Sequence, residues 1–380
     1  FVLSDMILTV ESATPRICLT LTGRTIDECV AQFNSQRYFS DMVELRADML
    51  DPEERAKAGE LPGKLPVPVI LTFRRAVDGG RFEGPESERE AFFRSMLEAK
   101  APFAYVDFED DFRNAELEAM ARNQGVRVIR SLHVFESVSP NVADEIERLR
   151  GGSSDIPKIA FMPGSSADVA KLLTRAVPEK SGRNHIVCAM GPMGIASRAL
   201  AIRTGSMLMY ASVGSLGEIG HVSPRELVRT YRFRNQTKSF DLYGVTGWPL
   251  KATLSPAIHN AAFAAADVDA VMVPVPCRSA EEALEFMKAS SMKGMAVTIP
   301  HKESIMELLD EIDPVARKIG AVNTVAVERG RYVGYNTDFE GFAEAFKLNP
   351  QFFDELANMS GTEPQKNFDF AFQVFSFSSF

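Results

Sequence analysis

The chain has 380 residues, a length that suggests two domains at the usual size of roughly 150 residues each. Its 45% hydrophobic and 24% charged content is that of an ordinary soluble globular protein, and a net charge of -9 excludes a surface built to gather nucleic acid or anionic lipid. No apolar run approaches the roughly 18–20 residues of a membrane span, so no membrane partner is expected.

The first ten residues, FVLSDMILTV, lack the cationic start and small-residue cleavage site of a signal peptide, and Met6 is read as a candidate true start. Short β-branched runs then recur: RICLTLT (16–22), MVELRAD (42–48), VPVILTF (67–73), FAYVDFE (103–109), VRVIRSL (near 127–133), IPKIAFM (156–162), HIVCAM (185–190) and SMLMYASV (206–213). Helical patterns such as TIDECVAQFN, ESEREAFFRSMLEAK, NAELEAMARNQ, VADEIERLR and ADVAKLLTRAV lie between them. Such alternation predicts a parallel sheet, and eight units in about 200 residues fit a small (β/α)8 barrel. The first domain is drawn at residues 6–228.

A polar linker is predicted near RTYRFRNQTKS (229–239), then a second α/β domain over 240–346. Its elements read as strand DLYGVTG, helix SPAIHNAAFAAAD, strand AVMVPVP, helix SAEEALEFMKASS, strand GMAVTIP and helix KESIMELLDEID. Residues 347–380 have another character, with Phe368, Phe370 and Phe372 alternating as in a strand. They are expected to be a poorly ordered tail, with a specialised terminus as the rival reading. Cys18, Cys29, Cys188 and Cys277 show no CxxC and no ligand-like spacing to histidine, which predicts a reducing cytoplasm and neither zinc nor disulfides.

Barrel active sites form at the C-terminal ends of the strands. Those ends carry Glu44 and Arg46, Arg74, Asp107 and Glu109, His133, and Arg198, with Lys158 inside the apolar run DIPKIAFMP. A lysine there is either on an edge strand reaching solvent, or a desolvated amine able to attack a carbonyl. Beside His133, the second option is iminium chemistry: the amine condenses with a ketone, and histidine removes the acidified proton and later protonates a departing hydroxide. Glu44 is expected to orient the imidazole, and Arg46, Arg74 and Arg198 to hold a carboxylate and hydroxyls. These residue types point to a lyase or a class I aldolase acting on an anionic keto-sugar-like acid.

The order VELRAD, LTFRRAVDGG, YVDFE, SLHVF, IPKIA and MGIASRALAIRTGS resembles type I 3-dehydroquinate dehydratase over roughly residues 14–226. The resemblance implies dehydration of 3-dehydroquinate to 3-dehydroshikimate through a Schiff base on Lys158, with His133 as general acid/base and no cofactor. It departs from the family at Asp78, where Glu is usual, and at GEIGH (217–221), where a Ser-Ala-Pro-Gly-Gln lid is usual; Pro157 precedes the lysine. In the second domain, TLSPAIHN (253–260), GMAVTIPHK (294–302), AVNTV (321–325) and GYNTDFEGF (334–342) resemble the substrate-binding half of shikimate dehydrogenase. That resemblance implies a proton-shuttling pair Lys302 and Asp338, substrate contacts from Thr253, Ser255, Thr298 and Asn323, and a lost contact at Ala296. The expected cofactor of that family is NADP. Only Gly341 and Gly361 follow Asp338, so these 380 residues are expected to lack its glycine-rich binding half.

The leading expectation is a cytoplasmic dehydratase barrel of the shikimate pathway, joined to a shikimate-binding module unable to reduce. The alternatives are a complete bifunctional enzyme and a non-catalytic binder of the same acids. A homo-oligomer is left open.

Overall fold

The computed structural model describes residues 14–135, 141–151, 154–174, 185–214, 222–250 and 253–348. Gly217–His221 and the tail from 349 onward lie outside them, so the readings placed there stand as expectations. The chain divides into two compact units between Phe240 and Asp241.

The first unit is an eight-stranded parallel sheet: β1 (Arg16–Leu21), β2 (Met42–Arg46), β3 (Val69–Thr72), β4 (Tyr105–Glu109), β5 (Arg127–Val134), β6 (Ile156–Phe161), β7 (Ile186–Ala189) and β8 (Leu208–Ser212). The order β7-β6-β5-β4-β3-β2-β1-β8 follows the chain around the wall, with β8 paired to β1. No ladder joins β7 to β8. There Met207 N donates to His185 O at 2.9 Å, and Ser206 Oγ bridges to Val187 N and O at 3.0 and 3.2 Å. The result is a nearly closed (β/α)8 barrel.

Side chains alternate across each strand, which sorts the apolar residues into two layers. Leu19, Leu21, Val43, Leu45, Val69, Leu71, Val106 and Phe108 pack into the larger core cluster, which also takes helix residues such as Phe33 and Phe93. Cys18, Met42, Ile70, Tyr105, Ile129, Ile156, Ile186, Leu208 and Tyr210 form a second cluster, one or two residues from each strand, which is the floor of the barrel interior. The next inward positions toward the strands' C-terminal ends are polar: Thr20, Glu44, Thr72, Asp107, Ser131 and Lys158. The helix Ile26–Gln36 shows how the outer shell is fixed. Thr25 accepts from Glu28 N at its start, Asp27 and Glu28 sit in the positive first turn, and Ile26, Cys29 and Phe33 are buried.

The segment after the barrel is less of a linker than its polar composition predicts. Tyr231, Phe233, Gln236 and Phe240 are buried, and the Gln236 amide donates to Ala199 O and Tyr231 O at 2.8 and 2.9 Å.

The second unit is a six-stranded sheet of order β10-β9-β11-β13-β14-β12, built from β9 (Asp241–Thr246), β10 (Ala270–Pro274), β11 (Gly294–Val297), β12 (Glu311–Ile312), β13 (Thr324–Glu328) and β14 (Arg331–Tyr335). The pairs β10–β9 and β9–β11 are parallel, whereas β11–β13–β14 run antiparallel. The Asn260 amide clamps both backbone groups of Met272 at 2.7 and 2.8 Å, fixing helix Ser255–Ala265 to β10. The single helix expected over KESIMELLDEID is broken. Helical turns end at Leu308, Glu311–Ile312 pairs with β14, and Asp313 caps a new helix opened by Pro314. Asp310 causes part of this break, because its carboxylate accepts from Tyr332 N at 2.7 Å and ties the segment to the sheet.

Candidate active site

Strand β6 lies between β5 and β7, so the edge-strand reading of Lys158 is overturned; the residue is 5% exposed. Pro157 is tolerated as the second residue of the strand, at its beginning. Lys158 Nζ lies 2.8 Å from Asp107 Oδ2, 3.8 Å from Glu44 Oε1 and 4.3 Å from the centre of the Tyr210 ring. An ammonium at this depth needs such partners, because burying it unpaired is prohibitive.

Behind the lysine runs a series of buried charges of alternating sign. Asp107 also meets Arg74 Nη2 at 2.8 Å and accepts from Ser131 Oγ at 2.6 Å. Arg74 Nη1 donates to Glu109 Oε1 at 2.8 Å and lies 2.9 Å from Ser131 Oγ. Glu109 is held from behind by Arg89, fully buried on helix Glu86–Glu98, which also reaches Phe73 O at 2.9 Å. Burial alone would raise the Asp107 carboxyl, but Arg74 and Lys158 outweigh it and hold it well below the usual carboxylate range. Burial would likewise lower Arg74, and the Asp107 and Glu109 charges reverse that. Sequence reasoning placed Asp107 and Glu109 at the mouth without giving them a role. The signal was in YVDFE, where two acids two residues apart in a buried strand must share its inner face.

Glu44 does not orient the imidazole as expected. Its carboxylate accepts from Thr20 Oγ1 at 3.0 Å and Thr72 Oγ1 at 2.9 Å, facing the lysine. His133, half-buried near the end of β5, has an Nδ1 with no hydrogen-bond partner. Desolvation, Arg74 and Lys158 together push its pKa well below the ordinary histidine value, against a smaller opposing pull from Asp107. Its surroundings thus favour the neutral ring. Phe135 stacks beside it with centroids 6.5 Å apart.

Arg46 is engaged by Asp48 through Nε and Nη2 at 2.9 and 2.8 Å. Arg198, buried on the short helix Ile195–Ala199, donates from Nη1 to Tyr210 O at 3.2 Å. Asp78 pairs with Arg75 at 2.7 Å. The Gly79–Gly80 turn after it packs so closely that a Cβ at Gly80 would fall 2.1 Å from Arg74 O, so the paired glycines let the loop fold down on the arginine. One cavity is lined by Glu44, Arg46, Arg74, Asp78, His133, Lys158, Arg198 and Tyr210, whereas Asp107 and Glu109, placed at the mouth from the sequence, are not among its walls.

In the second unit Lys302 Nζ lies 2.7 Å from Asp338 Oδ2, with the side chains 31% and 40% exposed. They border a cavity of about 490 Å³ together with Glu303, Ser304, Glu307 and Asn336. Thr253, Ser255, Thr298 and Asn323 are not among its walls. Thr253 Oγ1 accepts from Ser255 N at 3.2 Å, and Asn323 Oδ1 accepts from Thr337 N at 2.9 Å while its amide donates to Thr337 Oγ1 at 3.1 Å. Thr298 is half-buried and bonds through its backbone N to Thr246 O at 2.9 Å. His301 Nε2 lies 2.8 Å from Cys277 O, and His259 Nδ1 lies 2.9 Å from Ser255 O, as packing histidines do.

The eight-stranded parallel barrel thus brings a buried, ion-paired lysine and a histidine to one cavity. The family model for type I 3-dehydroquinase matches residues 17–238, more than half of the chain, and that for the shikimate dehydrogenase substrate binding domain matches 245–325. The chain belongs to the type I 3-dehydroquinase family, with a shikimate dehydrogenase N-terminal domain after the barrel. It is similar to a bifunctional 3-dehydroquinate dehydratase/shikimate dehydrogenase, chloroplastic, from Arabidopsis thaliana, with 31% identity over 87% of this chain and 56% of that protein. The chain thus spans just over half the length of that relative. A shikimate dehydrogenase (NADP(+)) from Carboxydothermus hydrogenoformans is 43% identical over 31% of this chain and 42% of its own length. The crystal structure of type I 3-dehydroquinate dehydratase from Clostridium difficile, 23% identical, covers 60% of this chain and 94% of its own with a TM-score of 0.52, a likeness of fold. Among the described residues no helix is long and apolar enough to cross a membrane, and no cluster of metal-ligating side chains occurs.

Proposed function

We propose that the barrel dehydrates 3-dehydroquinate to 3-dehydroshikimate through a Schiff base on Lys158. The observation that carries this reading is the buried Lys158 amine sharing one cavity with His133 and three arginines. Lys158 Nζ passes a proton to His133 and adds to the substrate ketone, and the hydroxyl of the adduct leaves as water with that proton, giving a cationic iminium. His133 takes the proton from the adjacent carbon, the electron pair forms the ring double bond, and the hydroxyl one carbon further departs as water with that proton. A second water then hydrolyses the iminium and frees the amine, so the net change is loss of one water. Asp107, held as a carboxylate, stabilises the cation at every stage. Arg46, Arg74 and Arg198 provide the positive wall for the substrate carboxylate and hydroxyls.

Borohydride reduction in the presence of 3-dehydroquinate, followed by peptide mass mapping, tests this reading. An adduct on Lys158 is expected. A folded protein with no adduct would move the non-catalytic binder of shikimate-pathway acids to the front.

For the second unit we propose binding of a shikimate-like acid at Lys302 and Asp338, with Thr253, Ser255, Thr298 and Asn323 turning toward the ligand. For these 380 residues by themselves we propose binding without NADP-dependent reduction, because no glycine-rich dinucleotide turn occurs among them after Asp338. NADP-dependent oxidation of shikimate by the purified chain would overturn this and establish the complete bifunctional enzyme. Its site of action in the cell, proposed as the cytoplasm, is open to direct fractionation.

A further inference from the structure

We propose that Tyr210 is a substrate-contacting residue of the barrel, its phenolic hydroxyl donating a hydrogen bond to an oxygen of the anionic ring acid bound above Lys158. This inference deepens the dehydratase reading and rests on it.

Tyr210 points inward from β8, is 6% exposed, and lines the cavity with Lys158, His133 and Arg198. Two contacts hold it: Lys158 Nζ sits 4.3 Å from the ring centre, and Arg198 Nη1 donates to its backbone oxygen. Its hydroxyl is buried with no hydrogen-bond partner. Of the inward hydroxyls above it, Thr20 and Thr72 are committed to Glu44 and Ser131 to Asp107, while Ser212 is unpartnered but does not line the cavity. Burying an unpaired hydroxyl is costly, and phenylalanine would fill the same space without that cost. An orphaned donor on a residue that lines a cavity is therefore best explained by an acceptor that arrives with the ligand as the cavity adjusts to it. Burial and the neighbouring Glu44 charge keep the phenol protonated, so it offers a proton to an incoming oxygen. A carboxylate, ketone or hydroxyl oxygen of a ring acid fits that requirement, whereas an apolar ring would leave the donor unmet.

The test is Tyr210→Phe, with Ser212→Ala as control. Ser212 Oγ is a second buried, unpartnered hydroxyl on β8, but it is not among the cavity walls. Both variants are expected to melt no lower than the wild type without ligand, because each loses only an unsatisfied group. With 3-dehydroquinate, Tyr210→Phe should raise KM, and the half-saturating concentration for borohydride trapping, roughly three- to tenfold, the loss of one neutral hydrogen bond. Ser212→Ala should leave both unchanged. If wild type forms the Lys158 adduct and Tyr210→Phe half-saturates within twofold of it, the Tyr210 assignment fails while the dehydratase reading stands. A lower melting temperature for ligand-free Tyr210→Phe would show that the hydroxyl has a structural role, and would also overturn the assignment. A wild type that neither turns over nor binds 3-dehydroquinate in calorimetry overturns both.

Discussion

Two lysine–aspartate pairs of nearly equal geometry occupy the two units, and their surroundings make them different devices. Lys158 and Asp107 meet at 2.8 Å with side chains 6% and 0% exposed; Lys302 and Asp338 meet at 2.7 Å with 31% and 40% exposed. At the barrel mouth each charge is desolvated and must be answered by another, which is why Arg74, Glu109 and Arg89 continue the alternation outward. In the second unit water does most of that work, so the pair can open and re-form around a ligand at little cost. Distance alone therefore says nothing about function. Burial distinguishes a preorganised electrostatic cradle from a movable pair.

The largest expected effect comes from deleting one partner of each pair. Asp107→Asn leaves Lys158 facing only Glu44 at 3.8 Å, and should destabilise the barrel by about 3–5 kcal/mol, the usual result of stranding a buried charge. Asp338→Asn should cost at most about 1 kcal/mol, in keeping with a half-exposed pair. Trp248 is the one tryptophan of the chain and lies in the second unit, so its fluorescence in a urea titration reports that unit while far-UV circular dichroism also follows the barrel. Equal losses in the two variants would break the contrast drawn above.

Much of this was legible beforehand, for identifiable reasons. A parallel barrel buries both faces of its strands, so their sequences are nearly continuous apolar runs against which Glu44, His133 and Lys158 stand out. The alternation of side chains then places them on one inner face without any knowledge of contacts. What was not legible is which polar groups answer one another. Glu44 read as a partner for His133, because nothing in a linear pattern reveals that Thr20 and Thr72, on the flanking strands, take its two oxygens. Tyr210 was hidden in SMLMYASV, where it passes for one more apolar strand residue. In the second unit, the break at Leu308 depends on Asp310 reaching a strand some twenty residues away, a contact that helical periodicity cannot express.

A smaller effect sharpens the account of the barrel through pH. His133 and Asp107 are both held below their ordinary values in the folded chain. For each, the unfolded chain binds a proton at a pH where the folded chain does not, so each contributes stability that is complete above its unfolded pKa and is lost as pH falls toward its folded one. The unfolded values are about 6.5 for histidine and about 3.9 for aspartate, which separates the two losses. Stability of the barrel should therefore decline from pH near 6.5 downward with a slope of at most about 1.4 kcal/mol per pH unit, one proton's worth, before carboxylates join below pH 4. The variant His133→Asn, which cannot titrate, should remove the upper part of this slope and leave the lower part intact. The same depression keeps the imidazole neutral, and so able to accept a proton, to a lower pH than a free histidine. The acid limb of kcat/KM in the proposed dehydration should accordingly lie below 6.5. A urea midpoint that is flat between pH 5 and 7 in the wild type, or an acid limb at or above 6.5, would mean that the cations around His133 are not holding it neutral. The general-base assignment would then have to move to another group in the cavity.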